Sequence, residues 1–456
     1  MKKVTFLMML FALLSTAISL AQPTRSEAKL AMQCYNNAFY CQYGTYGSSY
    51  KAYYYANTNR NSRMDFWHQA EAIEMLIDAY IVNNDADFKN KIRYLYHGMR
   101  DAYGLLWTNN KFNDDVIWGA LMCIRAYEIF NDGGMKDMAK NNFDMVWARA
   151  WDSSLGGGLW WTTDKTTKNA CVNAPAAICA MRLYYATGDA SYKTKAKQIV
   201  DWMVSRLYNA STGEVKGAIN SSGTITEGSR TYTQGTFIGA CGELYKQYTS
   251  PNYRSYGIKA MDYTRYNMCN SAGLLPDEYD TYDCQGFKAI FARWACKFVK
   301  DYSLAATYGA WLNYNATQAW KYRNSSGLMW GQWWRRTPDG FVNSFETTTG
   351  VSMMNNIWLY NAATKAAGEE TTATANSEKP GFELSPNPAA DFVILSIENI
   401  TEPFTVSIFD LSGRLLKTQI FGSEAANISL EGLPAGPHLV KVKCGNSVYT
   451  KKLIIN

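Results

Sequence analysis

The chain has 456 residues, 47% of them apolar, and 45 basic against 39 acidic side chains give a formal charge of +6. That apolar content excludes disorder over the whole length and suffices for one large core or two domains. The charge balance, with no basic stripe, argues against a nucleic-acid binder.

Lys2-Lys3, the apolar run Val4 to Leu14 and small residues ending at Ser19 and Ala21 form the three regions of a secretory signal over residues 1–21. Losing Lys2 and Lys3 with it lowers the +6 charge to +4. The apolar run is short for a span of about 20 residues. Cleavage before Gln22 and a soluble exported protein are therefore expected.

Between residues 28 and 365 a loose unit recurs, in which a helical pattern ends in an aromatic-rich turn and a small or acidic residue. The endings are Met75 to Asp85, Arg125 to Gly134, Arg182 to Asp189, Glu243 to Ser250, Arg293 to Tyr302 and Asn356 to Gly368. Helical period supports the reading: Phe66, Trp67, Ala70, Ile73, Leu76, Ile77, Tyr80 and Ile81 fall at i, i+3, i+4, i+7 spacing. Six endings imply six helical hairpins, and six hairpins closing on themselves make an all-α (α/α)6 barrel. The loops between them carry large aromatics beside glycine, notably Gly156 to Trp161, Ser229 to Gly235 and Gly327 to Trp334. Binding residues concentrate in loops held by a rigid scaffold.

Residues 366–380 lack large side chains and read as a linker. Beyond them, over 381–456, the period changes to two, with Phe404, Val406 and Ile408 alternating with polar neighbours, which predicts a small β-sandwich. All 15 Trp precede this tail, and Tyr449 is its one Tyr.

Of the ten Cys, Cys123, Cys179, Cys241 and Cys296 sit in helical apolar patterns, while Cys34/Cys41 and Cys269/Cys284 are loop candidates for pairing. No CxxC or HxxxH spacing occurs, so neither a metal nor a cofactor is expected.

The tandem Asp114-Asp115 opens an apolar helix among Trp107, Trp118, Trp160 and Trp161. Helix capping explains one carboxylate at such a place. Two adjacent carboxylates repel unless one is protonated or used, and glycoside hydrolysis needs one ionised and one protonated carboxyl. Trp160, Trp161, Trp330, Trp333 and Trp334 are candidates to stack on sugar faces, with Asn173 and Gln234 as partners for hydroxyls.

Several segments together resemble glycoside hydrolase family 76, the endo-α-1,6-mannanases, over residues 28–365. They are Phe66 to Glu74; Asn113-Asp114-Asp115 with Trp118 and Arg125 to Glu128; Gly156 to Trp161; Lys168-Asn169 with Asn173; Tyr232-Thr233-Gln234-Gly235; and Phe287 to Arg293. The resemblance implies a secreted, monomeric, retaining endo-hydrolase of α-mannan, with Asp114 as nucleophile and Asp115 as general acid/base. Trp118, Trp160, Trp161, Asn173, Tyr232, Gln234 and His68 would line the substrate. Thr233 stands where members often carry Asn, and His68 where an aromatic or other residue is common. Lys288 and Arg293 are read as braces between helices. The alternatives are another (α/α)6 enzyme, such as an unsaturated glucuronyl hydrolase or a lyase with a basic cleft for uronic acids, and a non-catalytic glycan-binding protein.

The tail resembles a type IX secretion sorting domain in Leu384 to Asp391, Phe409 to Arg414, Leu433 to Gly436 and the terminal Lys451-Lys452-Leu453-Ile454-Ile455. It implies passage across an outer membrane through that secretion machinery, ending in release or at the cell surface.

Overall fold

The repeated endings prove to be the C-termini of one ring of helices. In the computed structural model the helices are α1 (Arg25–Phe39), α2 (Phe66–Asn83), α3 (Ala86–Tyr103), α4 (Asn113–Phe130), α5 (Gly133–Ala150) and α6 (Ala170–Thr187). They continue with α7 (Ala190–Arg206), α8 (Thr231–Tyr245), α9 (Tyr253–Tyr263), α10 (Phe287–Asp301), α11 (Ala305–Lys321) and α12 (Ser344–Asn356). The structure describes residues 22–249, 252–361, 382–397, 404–410, 414–421, 425–444 and 447–456. The expected signal, 1–21, and linker, 366–380, lie outside the described residues.

Each even-numbered helix packs on the next, and α12 packs back on α2, closing an inner ring of six. Helices α3, α5, α7, α9 and α11 cover it from outside, and α1 covers α12. This is an (α/α)6 barrel whose last hairpin joins the two ends of the unit. The inner helices are buried around most of their circumference; in α12 every residue from Ser344 to Asn356 is buried. Such helices lack a polar stripe because neighbours surround them.

Three of the hairpin joints share one chemistry. Asn84, Asn131 and Gly188 end α2, α4 and α6 in the left-handed conformation. The next residue, Asp85, Asp132 or Asp189, accepts backbone N–H bonds at the start of the outer helix. An Asn/Gly-Asp pair thus stops one helix and starts its antiparallel partner. Close helix approach has an equally local cause: a Cβ on Gly235 of α8 would come within 2.5 Å of Phe291 Cα on α10.

The barrel unit also holds strands that an all-helical reading omits. A hairpin of β1 (Tyr40–Tyr46) and β2 (Ser49–Tyr54) follows α1, and β3 (Thr167–Asn169), β4 (Ala218–Asn220) and β5 (Ile225–Glu227) form a small antiparallel sheet. The hairpin lies against α3 where Gly98 leaves room; a Cβ there would meet Ala52 O at 1.8 Å. Cys34, Cys41, Cys269 and Cys284 are free thiols, so neither proposed pairing is formed. Cys34 sits inside α1 rather than in a loop. No helix among the described residues is long and apolar enough to cross a membrane.

The chain forms two compact units, Met1–Gly368 and Glu369–Asn456. In the second, β6 (Phe382–Ser385), β7 (Phe392–Ile397), β8 (Phe404–Phe409), β9 (Leu415–Phe421), β10 (Ala425–Ser429), β11 (Gly436–Cys444) and β12 (Ser447–Ile455) form sheets ordered β10-β7-β6 and β12-β11-β8-β9. One apolar cluster joins both sheets through Phe382, Val393, Leu395, Phe404, Val406, Ile408, Val440 and Leu453. The alternation Phe404, Val406, Ile408 is the inward face of β8.

Candidate active site at the gathered helix N-termini

All six inner helices run the same way, so their first turns meet at one mouth. His68 of α2 packs on Phe345 of α12 with ring centroids 4.1 Å apart, Trp67 faces Trp118 of α4 at 6.3 Å, and Tyr232 of α8 meets Phe287 of α10 at 4.3 Å. Asp114 of α4 faces Cys171 of α6. Helix N-termini present unpaired N–H groups and partial positive charge, so carboxylates and hydroxylated ligands suit this end.

The start of α4 is pinned by the loops around it. Asn113 donates its backbone N–H to Trp161 O at 2.8 Å and Nδ2 to Trp160 O at 2.8 Å, and it accepts from Arg149 Nε at 2.6 Å. Arg149 also donates to Thr108 O and Asn110 O, at 3.1 and 2.8 Å. The Gly156 to Trp161 loop can press this close because a Cβ on Gly158, at φ +85°, would meet the Trp202 ring at 2.5 Å.

Burial pushes Asp114 up to about 6, opposed by the Cys171 thiol, the Trp161 indole and backbone N–H groups at the helix start. Burial pushes Asp115 up to about 7, reinforced by the charge of Asp114; Asn110 opposes the shift, and Asp283 and Asp65 add to it. Asn110 Nδ2 donates to Asp115 Oδ2 at 3.0 Å. The Cys171 thiol and Trp161 indole lie toward Asp114 and lessen its shift, although its buried Oδ1 has no hydrogen-bond partner, whereas further carboxylates surround Asp115 and favour its protonated form. Among the described residues no Lys, Arg or His forms an ion pair with either.

The sequence-derived residues separate into two groups. Trp161, Tyr232, Trp118 and His68 stand at the mouth. The Tyr232 hydroxyl is held well above its ordinary pKa by burial and by nearby Cys171, Glu227 and Asp114, so it stays a donor. His68 is 2% exposed, ringed by Trp67, Tyr282 and Phe345, with Nε2 2.9 Å from Asp283 Oδ1.

Trp160, Asn173 and Gln234 are about as buried as Trp118, Tyr232 and His68, and differ in where their polar groups go. Trp160 donates Nε1 to Asp152 Oδ2 at 2.6 Å, with Lys168 4.6 Å from its ring centre. Asn173 donates to Leu159 O and Asn169 O and accepts from Leu159 N–H, tying the glycine loop to α6. Gln234, with its amide oriented to satisfy both atoms, accepts from Val215 N–H at 3.0 Å and donates to Gly213 O at 3.3 Å. These three side chains spend their polar groups on the protein's own backbone and carboxylates. The doubled Trp therefore divides into one anchor and one residue at the carboxylates.

Sequence reasoning missed Asn110, Asp65, Asp283 and Cys171. Each lies just before or inside the first turn of an inner helix, the position that singled out Asp114 and Asp115. Lys288 and Arg293 are braces as expected: Arg293 pairs with Glu71, Glu74 and Asp78 at 2.6, 2.8 and 2.8 Å. Lys288 bonds Gly331 O and pairs with Asp277 at 3.4 Å. Among the described residues no group of three or more His, Cys, Asp and Glu could hold a metal ion.

Comparison with known proteins agrees with this architecture. The chain is 27% identical over 334 residues to mannan endo-1,6-alpha-mannosidase DFG5 of Saccharomyces cerevisiae, covering 65% of this chain and 71% of the relative. It is 29% identical over 204 residues to DFG5 of Candida albicans, covering 40% of this chain. The chain spans about half the length of the two Candida relatives, 45% and 46%. The GH76A alpha-1,6-mannanase of Salegentibacter sp. HEL1_6 superposes with a TM-score of 0.66 at 25% identity, covering 74% of this chain and 99% of that one. An inactive variant of it, with two adjacent aspartates changed to alanine and alpha-1,6-mannotetrose bound, gives the same TM-score and coverage at 24% identity. Residues 383–456 match the secretion system C-terminal sorting domain. Residues 22–369 match glycosyl hydrolase family 76, and the chain belongs to that family.

Proposed function

We propose that the protein is a secreted, retaining endo-glycosidase that hydrolyses α-1,6-mannosidic bonds within mannan. The observation that carries this reading is the adjacent, buried pair Asp114 and Asp115 in the first turn of α4, with no ion pair to either among the described residues.

Ionised Asp114 attacks the anomeric carbon while protonated Asp115 gives its proton to the departing glycosidic oxygen. This leaves a mannosyl ester on Asp114 and a carboxylate on Asp115. The carboxylate then takes a proton from water, whose oxygen attacks the same carbon and releases Asp114. The first step raises Asp115 to the form the second step needs, and the charge removed from Asp114 on esterification lowers the pKa of Asp115 at that moment. Trp161, Trp118 and Tyr232 supply apolar faces and a hydroxyl beside the pair, and His68 sets the wall beneath them. Trp160, Asn173 and Gln234 act through the loops they hold.

The relatives' activities support mannan as substrate, and the inactive mannotetrose-bound enzyme lacking two adjacent aspartates supports the pair as its machinery. Four carboxylates at one mouth, Asp65, Asp114, Asp115 and Asp283, repel uronic acids and disfavour a glucuronyl hydrolase or lyase. A purely binding protein gains nothing from crowding two of them. The family match covers the barrel, so we assign 28–365 to catalysis, 1–21 to a cleaved signal, 366–380 to a linker and 381–456 to type IX secretion. The sorting domain implies secretion and cell-surface association. We infer a monomer that needs no metal or cofactor.

Product analysis on linear α-1,6-mannan with wild type, Asp114→Asn and Asp115→Asn tests the reading. Wild type should release short α-1,6-mannooligosaccharides and both variants almost none. An intact polymer with wild type would overturn the substrate, and full activity of both variants would overturn the machinery.

A further inference from the structure

The loop 322–343 between α11 and α12 carries Trp330, Trp333 and Trp334. Trp333 is 1% exposed, with Lys288 4.6 Å from its ring centre, whereas the adjacent Trp334 is 51% exposed. An exposed indole ordinarily moves among rotamers, but this one is fixed from several sides. Its Nε1 donates to Asp277 Oδ2 at 2.7 Å, and the Arg335 guanidinium lies 5.2 Å from its ring and 4.4 Å from that of Trp330. Arg335 is itself bonded to Gln332, and Trp330 donates Nε1 to Arg335 O at 3.1 Å. Gly331 donates to Glu346 Oε1 at 3.0 Å in the first turn of α12, whose Phe345 packs on His68. The loop is thereby clamped to the mouth of the barrel.

Fixing a Trp while leaving much of it in water makes a preorganised apolar face with its polar atom already satisfied. Its place on the ring says which ligand part it meets. In a ring ordered α2, α4, α6, α8, α10, α12, the helix opposite the carboxylate-bearing α4 is α10, and Asp277 precedes α10. With neighbouring axes 8–10 Å apart, opposite axes in a six-membered ring stand about 16–20 Å apart. Trp334, bonded to Asp277 beside Lys288 of α10, therefore stands on the side of the ring opposite α4, which carries Asp114 and Asp115.

We propose that Trp334 forms a distal subsite that stacks on the C–H face of a hexopyranose several units along the chain from the cleaved bond. This rests on the glycan-hydrolase reading above, and it assigns the cleft a length requirement. The C–H face of a hexopyranose is flat and apolar, matching an indole, while its rim of hydroxyls matches Asp277, Gln332 and Arg335.

The test compares wild type, Trp334→Ala and Trp334→Phe on α-1,6-mannooligosaccharides of increasing length and on the polymer. Calorimetric binding of the longest oligosaccharide to Asp114→Asn, with and without Trp334→Ala, gives a second readout. Wild-type kcat/KM should rise with length, and Trp334→Ala should remove that rise by about tenfold, mainly through KM, with Trp334→Phe restoring most of it. Calorimetry should show a matching tenfold weaker binding. A wild-type length dependence that survives Trp334→Ala, or a loss equal at every length, overturns the subsite alone. Wild type inactive on every length overturns the functional reading, and the subsite with it.

Discussion

The inner helices carry two sets of buried carboxylates, and their surroundings differ in one respect. Below the mouth, Asp78 is bonded by Arg125 at 2.6 Å and by Arg293 at 2.8 Å, with Asn356 Nδ2 at 3.1 Å. Burial works against its ionisation, yet the two guanidinium groups hold it below the usual carboxylate range. At the mouth, Asp114 and Asp115 have each other, and burial raises both. Two guanidinium groups make Asp78 an ionised tie between α2, α4, α10 and α12, whereas Glu71, bonded by Arg293 alone with Glu74 beside it, is still pushed up to about 7 by burial. A raised carboxyl pKa therefore does not by itself mark a group used in chemistry; Asp114 and Asp115 differ from Glu71 in having no guanidinium bonded to them and in standing at the mouth.

Changing each set should therefore fail in a different way. Asp114→Asn should lower the hydrolysis rate on the order of 10⁴-fold or more, and Asp115→Asn by about 10²–10⁴-fold, with near-native circular dichroism in both. Steady-state kinetics alongside melting curves separates these losses from unfolding. Arg293→Met leaves Glu74 and Asp78 partly uncompensated, so it should cost about 3–5 kcal/mol in urea denaturation. An unchanged denaturation midpoint for Arg293→Met would break the contrast.

The titrations give signed effects. Activity needs Asp114 ionised and Asp115 protonated, so kcat/KM should follow a narrow bell with limbs near pH 6 and 7. Asp115→Asn should lack the alkaline limb in its residual activity. In the unfolded chain both carboxyls ionise near pH 4, whereas the folded chain holds their protons until about 6 and 7. The fold binds more protons throughout that window, so this pair lowers stability as pH rises from about 4 to about 7. Asp115→Asn should recover about 4 kcal/mol at pH 8 and almost nothing at pH 4; equal melting-temperature shifts at both pH values would contradict the assignment.

The smallest effect concerns the doubled Trp. Trp161→Phe should raise KM because its ring faces Asp114, while Trp160→Phe should lower the melting temperature through its lost bond to Asp152 with little change in KM.

Much of the barrel was legible because inner-helix endings recur as an apolar run and an aromatic turn closing on a small or acidic residue, sharpened in α2, α4 and α6 to Asn-Asp or Gly-Asp. The closing contact of α1 on α12 was not legible, since it joins segments some 300 residues apart with no shared pattern. The hairpin Tyr40 to Tyr54 was hidden because it follows a helix and its alternation is blurred by consecutive tyrosines. At the site, Asp114 and Asp115 stood out as adjacent like charges, but Asp65 and Asp283 are single residues whose meaning comes from gathering six N-termini. Asn173 and Gln234 show the reverse: a buried amide looks the same in sequence whether it bonds a sugar or a backbone carbonyl.

The most direct test of the central claim is the anomer released first. Wild type on α-1,6-mannooligosaccharide, followed by proton NMR before mutarotation, should give the α-anomer of the new reducing end, because two displacements at the same carbon restore its configuration. Initial β-anomer would mean a single displacement by water and would contradict Asp114 as the nucleophile.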